Sequence, residues 1–273
     1  MAKIAVIKVG GDVLLSQPQW RGLAENISYI HQTGWQCIVL HGGGPQVNVL
    51  QQQLGLIPNK IAGRRVTSQR DLMCVMQAIA GQVNVELCNR LQQSQLPVIG
   101  THGASGIIQA NKRPPMKVPG QESLIDFGLV GDVESINAAH IRSLLQTGAI
   151  PVIATLARDN EGNVYNINAD TTVVAIAREL QADLLCMVTA VGGIYKDLDK
   201  PETLLDIVNQ PIATQMIADN VIKDGMIAKV QEALNVVAKD VGQVVITSLV
   251  KKDNLQQLLE TPTNYKLGTR IIR

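Results

Sequence analysis

The chain has 273 residues, and 24 Lys and Arg against 23 Asp and Glu give it a formal net charge of +1. Apolar residues make up 46% of the chain and charged residues 17%, which excludes an intrinsically disordered protein. The balanced charge also argues against a nucleic-acid partner, because nucleic-acid binding needs a basic surface that replaces counterions. With only 3% aromatic residues the core must be aliphatic, as in parallel strands that helices cover on both faces.

The sequence predicts no targeting or membrane segment. The apolar run at the N-terminus is too short for a signal peptide, and no stretch of about 18 apolar residues could span a membrane. The cysteines form no CxxC pair and are expected to be buried, reduced thiols; they are Cys37, Cys74, Cys88 and Cys186. We therefore expect a cytoplasmic protein with no membrane partner.

Short apolar runs and helical patterns alternate through the first half of the chain. Predicted strands occupy residues 4–9, 37–40, 96–100 and 150–154, the third of them as a core strand. Predicted helices occupy residues 18–31, 45–54, 68–93 and 137–147. Thr67 stands where it can cap the long helix over 68–93. Residues 58–66 look irregular or hairpin-like, and residues 101–135 are expected to form a peripheral layer of hairpins.

The second half continues the same alternation. Predicted strands occupy residues 184–189 and 244–247, with an edge strand over 268–272, and predicted helices occupy residues 169–181, 211–219, 225–239 and 253–260. Residues 159–163 have the composition of a hairpin turn. Such alternation favours an α/β fold. We expect a three-layer αβα sandwich with a mainly parallel central sheet and two lobes in one domain.

Two glycine clusters follow the first two predicted strands. Gly10-Gly11 follows the first strand, and Gly42-Gly43-Gly44 follows the second, where Pro45 begins a helix. Ligands of open α/β sheets bind at the carboxyl ends of the strands, and glycine N–H groups at a helix start favour anions. The clusters are therefore candidate anion-binding loops, or else structural tight turns. Lys8 would point toward the same strand ends, either as a site residue or as a structural cation that needs a counter-charge.

Three further polar motifs have both a functional and a structural interpretation. Arg64-Arg65-Val66-Thr67 can clamp a carboxylate or form a solvated basic turn. In Asn166-Ile167-Asn168-Ala169-Asp170, a polar side chain can serve a site or cap the helix that follows. The third motif, residues 223–229, places a lysine early in a helix, where the helix dipole disfavours a cation. An anionic ligand at that helix start would explain it.

Taken together, these motifs resemble those of the amino-acid kinase superfamily, and within it those of the N-acetylglutamate kinases. The matching motifs are Lys8-x-Gly10-Gly11, His41-Gly42-Gly43-Gly44-Pro45, Arg65-Val66-Thr67, Asp126-x-Gly128-x-Val130-Gly131-Asp132-Val133, Asn166-x-Asn168-Ala169-Asp170 and Asp224-Gly225-Met226-x-x-Lys229. Each motif alone is weak, but six in the order of the family are specific. The resemblance extends from Lys3 to Ile271, nearly the whole chain.

The resemblance implies a reaction in which ATP phosphorylates the side-chain carboxylate of N-acetyl-L-glutamate, an early step of arginine biosynthesis. It implies an N-terminal lobe, residues 1–155, that binds acetylglutamate and forms a homodimer contact through the long helix. A C-terminal lobe, residues 156–273, would bind ATP. Magnesium would bridge the ATP phosphates with few protein ligands, so no metal-binding residue is predicted. Because the first strand begins near Lys3, we expect a homodimer without the N-terminal helix that accompanies arginine inhibition.

The resemblance also implies roles for individual residues. Lys8 and Lys229 would flank the transferring phosphoryl group, and Asp170 would orient both ammonium groups. The residues expected to bind the acylated amino acid are Gly43, Gly44, Arg65 and Asn166. The residues expected to bind the nucleotide are Gly10, Gly11, Thr189, Ala190, Val191, Gly192, Gly193, Ile194 and Lys223.

One position departs from the family pattern in the nucleotide region. Many relatives have an aspartate where this chain has Ala190, next to the predicted strand over 184–189. The change removes a polar contact but leaves Lys8, Asp170 and Lys229 in place, so an active kinase is favoured. Two alternatives stay open. One is a kinase of a related substrate, such as a carrier-bound aminoadipate or glutamate, or carbamate; the other is a catalytically silent regulator that binds a nucleotide or an amino acid.

Overall fold

An eight-stranded sheet forms the centre of the protein. The structure, a computed structural model, describes residues 2–118, 120–222, 224–237 and 241–273. Its strands are β1 (Ile4–Val9), β2 (Gln36–His41), β3 (Lys60–Ile61), β4 (Arg64–Arg65), β5 (Val98–His102), β6 (Ile108–Lys112), β7 (Val130–Ile136), β8 (Ile150–Ala154), β9 (Leu156–Arg158), β10 (Val164–Ile167), β11 (Leu184–Val188), β12 (Ile207–Val208), β13 (Gln243–Thr247) and β14 (Gly268–Ile271). The central sheet has the order β12-β14-β13-β11-β1-β2-β8-β5, and its neighbouring strands are parallel except β13 with β14. This confirms the predicted α/β fold with a mainly parallel sheet.

Helices cover both faces of the central sheet. They are α1 (Gln17–Gln32), α2 (Gly44–Gln53), α3 (Gln69–Val75), α4 (Asn84–Gln92), α5 (Ala138–Gln146), α6 (Ala169–Leu180), α7 (Gln210–Ala218), α8 (Asp224–Val237) and α9 (Asn254–Glu260), with a π-helical segment (Met76–Val83) joining α3 to α4. Side chains alternate between the faces of a strand. In β1, Ile4 and Val6 pack on the side of α5, α6 and α8, whereas Ala5 and Ile7 pack on the side of α1, α4 and α9. These layers confirm the predicted αβα sandwich.

A small barrel stands beside the central sheet. It is closed by β6, β7, β9 and β10. The antiparallel pair of β6 and β7 lies in the segment 101–135, for which a layer of hairpins was predicted. The turn predicted at 159–163 joins β9 to β10. In that turn the Asp159 carboxylate accepts the N–H groups of Glu161 and Asn163 at 2.9 and 2.8 Å. The barrel positions functional side chains, because β10 leads directly into α6.

The long helix predicted over 68–93 is present, but it starts differently. Its N-cap is Ser68 rather than Thr67. Ser68 Oγ accepts the N–H of Asp71 at 3.2 Å, and Asp71 Oδ2 accepts the N–H of Ser68 at 2.9 Å, which is a capping box. Thr67 is engaged elsewhere, since its hydroxyl accepts a hydrogen bond from Asn166 Nδ2 at 3.2 Å.

The edges of the central sheet also differ from the prediction. The expected core strand over 96–100 is β5, which lies at one edge and leaves Ile99 40% exposed. The expected edge strand over 268–272 is β14, which lies inside the sheet because β12 pairs beyond it. β12 has only two residues, too few for a hydrophobic period to be visible in the sequence.

All four cysteines are free thiols, as predicted. Three of them are buried, and Cys88 is half-buried. Burial raises the pKa of Cys37 to about 12, so this thiol stays protonated at neutral pH. Among the described residues, no helix is long and apolar enough to cross a membrane.

The packing of α1 leaves no room for a side chain at Gly22. A Cβ there would lie 2.1 Å from Leu249 O and 2.4 Å from Val250 O, which are backbone atoms. Gly22→Ala is expected to lower the free energy of unfolding by about 3 kcal/mol, although alanine ordinarily stabilises a helix. A Cβ at Gly81 would meet no atom of the described residues within 4 Å outside the backbone of its own helix, so Gly81→Ala is the matched control, with an expected change below about 1 kcal/mol. Urea unfolding measures both variants, and equal stabilities would contradict the close contact.

Candidate active site

The two glycine loops meet at the carboxyl ends of β1 and β2. A Cβ at Gly11 would lie 2.8 Å from Pro45 Cδ and 3.2 Å from Gly43 Cα, so only glycine allows this approach. The N–H of Gly10 donates to Val188 O at 3.3 Å, which leaves it unavailable to a ligand. Gly43 is the N-cap of α2, where the first N–H groups have no acceptor within the helix. The Gly43 end of the loop is therefore the better candidate for an anion.

Three charged side chains meet at the same end of the sheet. Lys8 comes from β1, Asp170 from the first turn of α6 and Lys229 from α8. Lys8 Nζ lies 2.9 Å from Asp170 Oδ1, and Lys229 Nζ lies 2.9 Å from Oδ1 and 2.8 Å from Oδ2 of the same carboxylate. These side chains are only 9%, 18% and 13% exposed. Two cations and one anion leave an excess positive charge in a mostly buried position, which favours the binding of a further anion.

The charged group changes the pKa values of its own members. Burial by itself raises the pKa of Asp170, but the charges of Lys8 and Lys229 outweigh it, and the net pKa is lowered. Burial lowers the pKa of Lys229; repulsion from Lys8 adds to this effect, and Asp170 opposes it. Burial and the charge of Asp170 raise the pKa of Glu232, which is also on α8. A bound anion would relieve the repulsion between the two lysines.

Asn168 explains how Asp170 becomes available to the lysines. Asn168 Oδ1 accepts the N–H of Asp170 at 2.8 Å and the N–H of Thr171 at 3.1 Å, so Asn168 caps α6. The carboxylate of Asp170 is not needed for the cap and turns to the two ammonium groups. Both interpretations of the motif over residues 166–170 therefore hold, but for different residues: Asn168 is the helix cap, and Asp170 belongs to the charged site.

A cavity of about 230 Å³ opens beside the second glycine loop. It is lined by all four residues predicted to bind the acylated amino acid, namely Gly43, Gly44, Arg65 and Asn166. Three acceptors on α2 hold the Arg65 guanidinium: Asn48 Oδ1 at 2.5 Å, Gly44 O at 3.3 Å and Gln51 Oε1. Burial lowers the pKa of Arg65, and the charge of Asp71 opposes this effect.

Two cations of this cavity were not found by sequence reasoning. Lys60 reaches the cavity from the β3–β4 hairpin, and Arg113 reaches it from the end of β6. Arg113 Nε and Nη2 both donate to Asp132 Oδ1, at 2.9 and 2.5 Å. The position of Asp132 in a matching motif was the available signal, and the sequence around Lys60 carried none.

A second cavity, of about 650 Å³, lies beside the chain that follows β11. Among the residues predicted to bind the nucleotide, it is lined by Val191, Gly193 and Ile194. The other predicted residues of that loop, Thr189, Ala190 and Gly192, make hydrogen bonds that fix the loop conformation. Thr189 Oγ1 accepts the N–H of Gly192 at 3.1 Å, and Ala190 O accepts Nε2 of Gln19 at 3.4 Å.

Two further residues predicted to bind the nucleotide, Gly10 and Gly11, are not brought to these cavities. Neither of the two cavities is lined by Gly10 or Gly11, which lie between β1 and the second glycine loop. Lys223 lies outside the described residues.

Comparison with known proteins agrees with the motifs. Residues 3–248 match the model of the amino acid kinase family. A protein named acetylglutamate kinase from Anaeromyxobacter sp. (strain Fw109-5) is 36% identical over 263 residues, which are 95% of this chain and 96% of that protein. A protein of the same name from Methanopyrus kandleri is 37% identical over 256 residues, 93% of this chain and 96% of that protein. The crystal structure of smu.665 from Streptococcus mutans UA159 has a TM-score of 0.79 at 29% identity, and the match covers 100% of this chain and 99% of that one.

Asp170→Asn would leave two ammonium groups without the carboxylate between them. We expect the free energy of unfolding to fall by about 3 kcal/mol at neutral pH. Because the pKa of Asp170 is lower in the folded than in the unfolded chain, its contribution is complete above the unfolded value of about 3.9. That contribution is lost as the pH falls through the folded value. The difference between the wild type and the variant should therefore shrink below about pH 4.

Asp132→Asn is the matched control for this prediction. Asp132 also pairs with a cation, Arg113, but its side chain is 52% exposed, so the expected loss is below about 1 kcal/mol. Urea unfolding of both variants at about pH 7, 5 and 3 makes the comparison. An effect of Asp170→Asn that is equally large at the lowest pH would contradict an origin in the ion pairs.

Proposed function

Because the chain belongs to the amino acid kinase family, we propose that it transfers the γ-phosphoryl group of ATP to the side-chain carboxylate of N-acetyl-L-glutamate. The product, N-acetylglutamyl 5-phosphate, belongs to arginine biosynthesis. The family match over residues 3–248 and the shared name of two relatives at 36% and 37% identity support this reaction. The observation that carries it is the convergence of Lys8, Asp170 and Lys229 at the strand ends where the glycine loops and the Arg65 cavity lie.

The chemistry brings two negatively charged groups together. A carboxylate oxygen attacks the γ-phosphorus, the bond between that phosphorus and the ADP oxygen breaks, and charge spreads over the phosphoryl oxygens. Little covalent chemistry falls to the protein, so catalysis consists of positioning and charge neutralisation. We assign the neutralisation to Lys8 and Lys229. Asp170 holds their ammonium groups 2.9 and 2.8 Å from its own oxygens and so sets the distance between them.

We assign the acetylglutamate site to the 230 Å³ cavity. Arg65 would bind the α-carboxylate; described residues use three of its five N–H groups, and two remain. Asn166 Nδ2 donates to Thr67 Oγ1 at 3.2 Å, which leaves its Oδ1 to accept the acetamido N–H. The N–H groups of Gly43 and Gly44 would face the carboxylate and the phosphoryl group. The site thus belongs to residues 1–155, with Asn166 added from the second half.

ATP is the phosphoryl donor, and we assign its base to the 650 Å³ cavity in residues 156–273. Val191, Ile194 and Met226 give this cavity aliphatic walls, which suit a flat ring in a chain with 3% aromatic residues. Magnesium would enter with the ATP phosphates and neutralise part of their charge. The described residues contain no group of three or more His, Cys, Asp or Glu that could hold a metal.

Two alternative functions are each supported by one observation. Lys60 and Arg64 line the acetylglutamate cavity in addition to Arg65, which favours a substrate carried on an acidic protein. Ala190 lacks the carboxylate of many relatives, which favours a silent regulator. Against the regulator, the loop is still held by Gln19, whose side chain donates to Ala190 O at 3.4 Å.

Trapping of the acyl phosphate by hydroxylamine tests the reaction. We expect ATP-dependent hydroxamate with acetylglutamate and much less with glutamate, aspartate or carbamate.

Lys8→Arg should lower kcat about 100-fold with folding intact, because a guanidinium does not reproduce the compact charge of an ammonium. Arg65→Lys should raise the KM for acetylglutamate at least about tenfold, and Arg70→Lys, on the exposed face of α3, is its matched control.

The results separate the candidates. Wild-type protein that binds ATP without transferring phosphate to any of these acids would favour the regulator. Turnover that requires the acid to be attached to a carrier protein would favour the carrier-bound substrate. An Arg65→Lys variant with an unchanged KM would contradict the assigned position of the α-carboxylate.

We also propose that the protein is a homodimer through the long helix. Met73 and Val85 on this helix are 49% and 59% exposed, and Ile99 on the neighbouring edge strand is 40% exposed. Val85→Glu is expected to convert the dimer to a monomer, since it places a charge in an apolar contact. Val250→Glu, at a position 41% exposed on another part of the surface, is expected to leave the dimer intact. Light scattering at several concentrations measures both; a dimer that persists in Val85→Glu would contradict this surface.

A further inference from the structure

His41 lies directly under the second glycine loop and has a partner at each ring nitrogen. It is the last residue of β2 and is fully buried. Nδ1 lies 2.9 Å from Gly42 O, and Nε2 lies 2.9 Å from Nδ2 of Asn84, the first residue of α4. The proposed reaction assigns no role to either His41 or Asn84.

The partners of Asn84 determine which ring nitrogen of His41 carries the proton. The two N–H groups of Asn84 Nδ2 are shared among three acceptors, Nε2 of His41, Val152 O at 2.9 Å and Thr101 O at 3.2 Å, and the two carbonyl groups set the orientation of the amide. Nε2 of His41 must then accept, and Nδ1 carries the proton and donates it to Gly42 O. Burial lowers the pKa of His41 to about 4, which keeps this neutral tautomer at physiological pH.

The hydrogen bond to Gly42 O determines the direction of the next N–H group. The peptide between Gly42 and Gly43 is planar and trans, so its C=O and N–H point in opposite directions. With the carbonyl drawn toward the buried ring of His41, the N–H of Gly43 points away from that ring. Gly43 lines the 230 Å³ cavity. A Cβ at Gly43 would lie 3.1 Å from Ile79 Cγ1 and 3.2 Å from Val83 Cγ2, so the π-helical segment supports the loop from another side.

We infer that His41 and Asn84 are positioning residues that aim the Gly43 N–H at the transferring phosphoryl group. The inference rests on the proposed function and adds to it a chain of contacts from the long helix to the reacting centre. The chain runs from the Asn84 amide through the His41 imidazole and the Gly42 carbonyl to the Gly43 N–H. Donors oriented before the reaction stabilise developing charge without reorganising, so an effect on kcat is expected rather than on binding.

Two substitutions of His41 separate positioning from stability. His41→Phe keeps a ring but removes both hydrogen bonds, and kcat per folded enzyme should fall about 10- to 100-fold, with the KM values for ATP and acetylglutamate changed less than about threefold. His41→Asn can still donate to Gly42 O but no longer meets Asn84. We expect it to recover kcat to within about fivefold of the wild type, although it leaves Asn84 without its partner. If His41 had only a structural role, its variants would lose activity only in proportion to the loss of folded protein, and kcat per folded enzyme would stay unchanged.

Asn84→Ala and Asn26→Ala form a matched pair. Both asparagines are buried, and in each of them the two N–H groups of Nδ2 are shared among three acceptors, but those of Asn26 are Gly22 O, Leu249 O and Lys251 O, away from the glycine loop. Similar losses of stability are expected. Only Asn84→Ala should lower kcat per folded enzyme, by about tenfold. Equal effects of the pair on kcat, or a fully active His41→Phe, would overturn the inference.

A spectroscopic readout keeps the test independent of turnover. With glycine labelled at the carbonyl carbon and the nitrogen, an HNCO spectrum selects glycines that follow a glycine, namely Gly11, Gly43, Gly44 and Gly193. We expect the signal that joins the Gly42 carbonyl to the Gly43 N–H to shift in His41→Phe and not in Asn26→Ala. A wild type that forms no acyl phosphate would overturn the proposed function. An unshifted Gly43 signal in His41→Phe would overturn the positioning by His41.

Discussion

Two buried ammonium groups that share one carboxylate are the interaction on which the site depends. An unpaired lysine in an apolar sheet is costly, and Lys8 is only 7% exposed at the end of β1. Asp170 can pair with it because α6 and α8 pack on one face of the sheet and bring Asp170 and Lys229 to that point. The group keeps an excess positive charge until an anion binds. The charge that serves phosphoryl transfer is thus maintained at some expense of native stability.

Parallel strands explain why the charged group and the glycine loops occupy one place. β11, β1 and β2 are neighbours and run in the same direction, so the segments that follow them emerge at the same edge of the sheet. The loop after β2 approaches the loop after β1 closely enough to require glycine at Gly11. The barrel then adds Asn166 from β10 and Arg113 from the end of β6. A site made from distant parts of the chain follows from strand direction and strand order.

Local pattern predicted most helices and strands, and its errors have identifiable causes. Ser68 and Thr67 are both suitable caps, and the choice was made by the hydrogen bond between Thr67 and Asn166, 99 residues apart. The strand over 96–100 is apolar enough to be central, but strand order places it at an edge. Motifs identified Lys8, Asp170 and Lys229 as a group, whereas Lys60 had no local signal. It reaches the cavity through the hairpin geometry of β3 and β4.

The alternation of elements, the aliphatic core, the glycine loops and the identity of the three charged residues were all predictable from the amino-acid sequence. The first three depend on residue type and on spacing along the chain, whereas the charged residues were identified through the resemblance of their motifs to those of a known family. The tertiary structure decided which polar groups meet. It placed Asn168 as the helix cap and so released Asp170 to the lysines, and it joined His41 to Asn84, 43 residues away. Such pairings depend on strand order and helix packing, because hydrogen bonds and ion pairs require contact within a few ångströms, and spacing along the chain does not specify that contact.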